Sequence, residues 1–224
     1  LLSAEWLAAI EKEIQSFMGH SVYKTATQHR SATYLQTFWL FSRKLNGTAK
    51  ARLITINPKT VGTRDKDSSS PVVQSTTIAM MFVLFTMRTG LNFSVYDIST
   101  AFLNSVVPAD ELYLLRTPLG FGKHFQSKYV QMLRYCYGLN VSPLRFHETL
   151  CKAYGEKFQV SPFDQCFHSN ADKDLFIAHH VDDLLVLSRD PKVLETSLEQ
   201  QFTLKKQDRP DAYLGCDLHL NEVG

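Results

Sequence analysis

Residues 178–188, AHHVDDLLVLS, set two adjacent acids, Asp182 and Asp183, inside an otherwise apolar run. An ionised carboxylate buried there without a partner is costly, so something has to offset the charge. A third acid, Asp97, closes LNFSVYD (91–97), where Leu91, Phe93 and Val95 alternate with Asn92, Ser94 and Tyr96 and place Asp97 on the apolar phase. Carboxylates brought together repel unless cations lie between them, and hard cations such as Mg²⁺ take oxygen ligands while leaving room for water and phosphate. Two such ions, roughly 3.5–4 Å apart, would activate an attacking hydroxyl and stabilise the leaving group of an in-line phosphoryl displacement. A solvated Asp-Asp turn is the plainer alternative.

The elements that must position these acids can be read from periodicity. Asp182 and Asp183 fall at the tip between two apolar strands, LFIAHH (175–180) and LLVLS (184–188). Upstream, Ser3 is placed to cap a helix carrying Leu7, Ile10, Ile14 and Phe17, and residues 33–57 read as strands around an Asn46-Gly47 turn. The segment 62–71, GTRDKDSSSP, reads as a loop, and 75–89 as a mostly apolar, buried helix ended by Gly90. Ser142-Pro143 starts a helix with Phe146, Leu150, Tyr154 and Phe158 on its stripe, and Asp190-Pro191 opens another with Leu194, Leu198 and Phe202. Helices alternate irregularly with strands and a tight hairpin, which predicts an α+β fold with an antiparallel sheet under helices.

The 224 residues suffice for one large domain or two small ones. Net charge is only +2, but from Ile14 to Arg64 there are eight cations and no acid, whereas from Asp164 to Glu222 twelve acids face six bases. A basic front half can hold a polyanion and an acidic back half can hold cations, although ordinary solvated surface gives the same pattern. Cys136, Cys151, Cys166 and Cys216 lack paired spacing, which argues against a disulfide framework or a sulfur-based metal site and for a reducing, intracellular setting. The cysteines read as scattered core residues and the histidines as surface ones. The longest apolar run, 78–85, is too short to span a bilayer, and no charged-then-apolar leader opens the chain. A first residue of Leu1 suggests a piece of a longer polypeptide.

The wording around the acids narrows the reading. YDISTAFLNSVVPADELYLLRTPLGF (96–121), YGLNVSP (137–143) and HVDDLL (180–185), with KARLI (50–54), SPVV (70–73) and YLGCDLHL (213–220), resemble in order and interval the reverse transcriptase of copia-type retrotransposons. The resemblance implies the fingers and palm of a polymerase right hand, with fingers at roughly 1–72 and 105–141 and palm at roughly 73–104 and 142–224. A thumb, a connection and a ribonuclease H region would follow downstream. It implies an RNA-directed DNA polymerase that transfers dNTPs to a primer 3′-hydroxyl on an RNA or DNA template with two Mg²⁺ ions, or Mn²⁺ in their place, in a cytoplasmic particle or the nucleus.

By the same resemblance Asp97, Asp182 and Asp183 are the catalytic acids. Asp97 and Asp182 stand foremost as metal ligands, with Asp183 beside them and the Ile98 carbonyl as a further ligand. Arg52 matches the fingers arginine that grips the incoming triphosphate, Phe102 the ring that crowds a ribose 2′-hydroxyl, and Leu214 with Gly215 the turn that supports the primer end. A surface arginine, core packing and a plain hairpin are their respective alternatives. The family pattern usually has Lys-Gln after YGL, then Arg and Trp around Ser-Pro, where this chain has Asn140, Val141, Leu144 and Phe146. His180 replaces an aromatic residue, and LITINPKT (53–60) lacks the usual glycine and glutamine. These departures leave open a second reading, a decayed remnant that keeps the fold and at most nucleic-acid binding.

Overall fold

The computed structural model describes residues 3–44, 46–59, 69–208, 210 and 212–218. In chain order the first elements are α1 (Ala4–Gly19), β1 (Tyr23–Ala26), β2 (Thr33–Arg43), β3 (Ala49–Ile56), α2 (Ser75–Met87), β4 (Asn92–Ile98), β5 (Tyr113–Arg116) and β6 (Tyr129–Met132). They are followed by α3 (Ser142–Tyr154), β7 (Gln159–Val160), β8 (Phe167–Ser169), β9 (Leu175–His180), β10 (Asp183–Ser188), α4 (Lys192–Leu198), β11 (Leu204–Asp208), β12 (Ala212–Tyr213) and β13 (Cys216–Asp217). The chain is thus α+β, and its sheets are mostly antiparallel. It divides into two compact units, one of Leu1–Ser69 with Phe102–Phe146 and one of Ser70–Ala101 with His147–Gly224.

In the first unit a five-stranded sheet runs β1-β6-β5-β2-β3, with β2 and β5 parallel and the other neighbours antiparallel. Alternation along β3 buries Ala51, Leu53 and Thr55. Against them packs the stripe of α1, whose Ile14 and Phe17 are buried, whereas Leu7 at the start of that stripe is 54% exposed. Phe121 meets Phe17 and Tyr23 edge to face within the core. Ser3 sits at the N-cap position with extended backbone, but its side chain makes no capping bond; its carbonyl instead accepts the Trp6 and Leu7 N–H groups.

One glycine here has a strict steric reason. Gly138 has φ 99°, and a Cβ on it would lie 2.5 Å from Ile54 Cγ2 and 2.7 Å from the Thr55 carbonyl oxygen. The neighbouring Tyr137 carbonyl accepts the Thr55 N–H at 2.7 Å, so the YGL segment is clamped backbone to backbone onto β3.

The second unit is built on an antiparallel six-stranded sheet, β11-β4-β10-β9-β8-β7, with the β12–β13 hairpin as a separate pair. Both faces of the central strands are covered, which explains why β9 and β10 read as nearly continuous apolar runs. On one face, Phe93, Leu185, Leu187, Phe176 and Ala178 form a core with Met81 of α2, and Phe82 stacks on Phe93 at 5.5 Å. On the other face Tyr96 donates to Glu195 of α4 at 2.8 Å, and His179 meets His147 of α3.

Two expectations about this unit are corrected. α2 is not a buried helix: Thr77 and Met81 are buried, but Met80, Val83 and Met87 are 40%, 54% and 76% exposed. The run is apolar all round, so its composition could not show that only one face has a partner. His168 and His179 are not surface residues, being 3% and 1% exposed. Residues 62–68 of the expected loop lie outside the described residues, as do 219 and 220 of the YLGCDLHL block.

Candidate active site

The three acids converge on one end of the second unit's sheet. Asp183 opens β10 and lies directly across from Asp97 of β4 in the antiparallel register. Alternation puts both on the face that carries Phe93, Val95, Leu185 and Leu187, which is why Asp97 fell on the apolar phase of its strand. Asp183 also pairs with His180 of β9, so β9 and β10 are joined by a two-residue turn, Val181-Asp182.

That turn is unusual. Its first residue, Val181, has φ 57°, a region suited to glycine or asparagine and strained for a β-branched side chain. The turn is held from outside, because the Asp182 carbonyl accepts the N–H of Ile98 at 2.9 Å where β4 ends. One hydrogen bond therefore joins the Asp182 backbone to the residue after Asp97. Two more positive-φ residues sit nearby in sequence or space, Thr100 at 53° and Leu214 at 48°. Strain of about 1–3 kcal/mol per residue persists only where the surrounding structure over-determines the backbone.

Leu214 and Gly215 form the β12–β13 turn, and both have positive φ, as a tight two-residue hairpin requires. Tyr213, before them, reaches the Asp183 carbonyl with its hydroxyl at 3.5 Å. Asp97, Asp183, Tyr213 and Leu214 line one open cleft of about 340 Å³ together with Lys205. A larger cleft of about 710 Å³ in the first unit, lined by Tyr34, Arg116 and Tyr129 among others, contains no acid among its lining residues.

Electrostatics in the cleft centre on Asp183. Burial, with Asp182 and then Asp97 nearby, pushes the Asp183 carboxyl up to about 6. Lys205, which pairs with Asp97 in the β11–β4 register, places its Nζ 3.0 Å from Asp97 Oδ2. Those side chains are 69% and 46% exposed, so the pair is worth at most about 1 kcal/mol and would yield to a divalent cation. Clustered carboxylate oxygens, one of them with its charge disfavoured by burial and then by its acidic neighbours, are a donor set that fits Mg²⁺. Lys205 was missed by sequence reading; its signal was the cationic pair in LKKQD (204–208) following the last apolar stripe.

The remaining expected residues lie in the first unit. Arg52, on β3, lays its guanidinium over the Tyr137 ring at 4.9 Å from the centroid. Phe102, in a short 3₁₀ turn over Ala101–Asn104, meets the same ring edge-on at 5.2 Å. Tyr137 therefore joins Arg52 to Phe102, a connection that its position in YGLNVSP did not reveal. Of the departures from the family pattern, Phe146 is fully buried, touching Phe102 at 6.2 Å between ring centroids.

Residues 20–224 match the reverse transcriptase (RNA-dependent DNA polymerase) family. The chain belongs to that family. Its relatives place it with the copia-type retrotransposons, as the ordered sequence blocks implied. The putative transposon Ty5-1 protein of Saccharomyces cerevisiae is 31% identical over 135 residues, covering 57% of this chain and 43% of that protein. The Ty1-ER2 and Ty1-H Gag-Pol polyproteins of the same yeast are each 27% identical over 181 residues, covering 76% of this reverse transcriptase chain and 10% of each polyprotein. The chain thus spans less than half of the first relative and about a tenth of the polyproteins. No helix among the described residues is long and apolar enough to cross a membrane.

Proposed function

We propose that this chain is the catalytic core of an RNA-directed DNA polymerase within a Gag-Pol-type polyprotein, extending a primer 3′-hydroxyl with dNTPs on an RNA or DNA template. The observation that carries the reading is the register pair Asp183–Asp97, two carboxylates lining one cleft, with Asp182 in the turn that adjoins Asp183. In this reading the second unit is the palm and the first the fingers; the units divide after residues 69, 101 and 146, where 72, 104 and 141 were expected.

Asp97 and Asp182 would hold the cations, Asp183 would add its charge beside them, and the Ile98 carbonyl at the strand end could join the ligand set. Held there, Mg²⁺ would supply Lewis-acid chemistry, favouring ionisation of the primer hydroxyl and offsetting charge on the pyrophosphate leaving group. The protein's own contribution is position. The Ile98 N–H fixes the Asp182 carbonyl, and the strained Val181 turn aims the acid without any loop of its own to flex. Lys205, now paired with Asp97, would be displaced by cations held there and could then meet substrate phosphate. Leu214 and Gly215, on the same cleft, support the primer end. Arg52, stacked on Tyr137, presents a planar fork suited to a triphosphate, and Phe102, braced by that ring, crowds a ribose 2′-hydroxyl and so favours deoxynucleotides.

Primer extension by the chain in its natural polyprotein context tests the reading. Template-directed incorporation with Mg²⁺ is expected, and Asp182→Asn should remove it. Nucleic-acid binding with steep salt dependence, no incorporation on either template and no response to Mg²⁺ or to Asp97→Asn would replace this reading by the remnant one.

A further inference from the structure

We propose that His147, Cys166 and His179 form a binding site for a thiophilic transition-metal ion of the Zn²⁺ class, on the sheet face opposite the carboxylates. The three residues come from three segments of the second unit. His147 lies on α3, and His179 on β9 faces away from its neighbour His180, which shares the carboxylate face. Cys166 precedes β8 opposite His179, whose N–H donates to the Cys166 carbonyl at 3.0 Å. The Asp164 carboxylate fixes the same residue by accepting the Cys166 N–H at 2.9 Å.

The donor atoms already lie close together. One imidazole nitrogen of each histidine and the Cys166 sulfur are all within 4.8 Å of one another, and His147 Nδ1 is 3.0 Å from His179 Nε2. Tetrahedral bonds of about 2.0–2.3 Å set such donors roughly 3.3–3.8 Å apart, a difference that small side-chain rotations cover. Cys151 and His168 lie close by, with Cys151 Sγ 3.7 Å from His147 Nε2 and 4.0 Å from His168 Nε2.

Burial makes the cluster hard to explain as packing. Cys166 and His179 are 0% and 1% exposed, and the Nδ1 atoms of His168 and His179 are buried with no hydrogen-bond partner. Leaving polar atoms so is costly, and apolar side chains of similar size would fill the space without that cost. Burial also holds the imidazoles neutral, His179 down to about 3 and His168 down to about 4, which is the form a metal requires. The Cys166 thiol is pushed up to about 12 by burial, with Asp164 and then Cys151 nearby, so its proton leaves for solvent only when a dication binds the sulfur. Nitrogen and sulfur donors exclude Mg²⁺ and select zinc-like ions. The bound ion would tie α3 to the strand that leads into the Val181-Asp182 turn, a structural role separate from nucleotidyl transfer.

Titration of the chelator-treated full chain with Co²⁺ in excess Mg²⁺, followed by competition with Zn²⁺, tests the site. One Co²⁺ per chain is expected, with intense d–d absorption and a thiolate charge-transfer band that Zn²⁺ displaces. Cys166→Ser should abolish the band and His147→Gln weaken Co²⁺ binding at least about tenfold, while Cys216→Ser and Asp97→Asn leave both unchanged. Zn²⁺ should also raise the melting temperature of the wild-type chain, a readout independent of whether Cys166→Ser folds. Absence of a thiolate band, its persistence in Cys166→Ser, its dependence on Cys216, or cobalt binding lost only with Asp97→Asn would each overturn the proposal.

Discussion

The β2–β3 hairpin turns at residues 44–48, where Gly47 carries φ 78° and donates its N–H to the Lys44 carbonyl at 2.8 Å, whereas β9–β10 turns at Val181-Asp182 with a valine at φ 57°. The first uses the residue that its backbone conformation favours, and nothing lies within 4 Å of the Cβ that Gly47 lacks. The second puts a β-branched residue where left-handed backbone costs about 1–2 kcal/mol. It survives because β10 is registered on both sides, against β9 and β4, and because Ile98 clamps the Asp182 carbonyl. Local preference governs the turn that only connects strands, and tertiary constraint overrides it at the turn that carries the acids.

The contrast can be broken first where the connecting hairpin meets the YGL segment. Gly138→Ala should destabilise the chain by about 2–5 kcal/mol, combining left-handed strain with overpacking against Ile54 and Thr55, as denaturant unfolding would show. Less loss than that would mean β3 yields easily and the clamp is loose. A reciprocal pair sharpens the turn comparison. Gly47→Val should cost about 1–2 kcal/mol with incorporation unchanged, whereas Val181→Gly should gain about 0–1 kcal/mol, strain relief being partly offset by unfolded-state entropy, while incorporation falls. Shifts of the same sign in both melting temperatures would erase the distinction.

The smallest effect is a pH slope at the acid turn. Asp183 has an ordinary value of 3.8 and a folded value of about 6, so the folded state binds more protons between these limits. Its contribution to stability is full below about pH 4 and is lost as pH rises through about 6. His168 and His179 act with the opposite sign, since their depressed values make stability fall as pH drops below 6.5. The difference in unfolding midpoint between wild type and Asp183→Asn isolates the first effect, which saturating Mg²⁺ should flatten by favouring the carboxylate.

Much of this was legible in the sequence because period and turn chemistry are local. The alternation of LNFSVYD gave β4, Asn46-Gly47 marked a real turn, and the i, i+4 stripe from Phe146 to Tyr154 is buried throughout. The Ser3 side chain makes no cap, although its carbonyl accepts the Trp6 and Leu7 N–H groups. The exposure of α2 and the burial of His168 and His179 were illegible for another reason. Each depends on which segment happens to cover that face, and neither the helix nor β8–β9 encodes the position of its partner.

By itself the sequence determined several of the helices and strands, the family and the chemical types of the acids, since these follow from short-range spacing and from the order of six short blocks along the chain. Only the tertiary structure decided that Asp183 lies across from Asp97, that Lys205 reaches the same cleft, and that His147, Cys166 and His179 meet behind it. The reason is physical: strand pairing brings together residues up to 114 apart in sequence, as Ser94 and Asp208, through backbone hydrogen bonds. Those bonds read register, and one residue's slip would send each carboxylate to the opposite face.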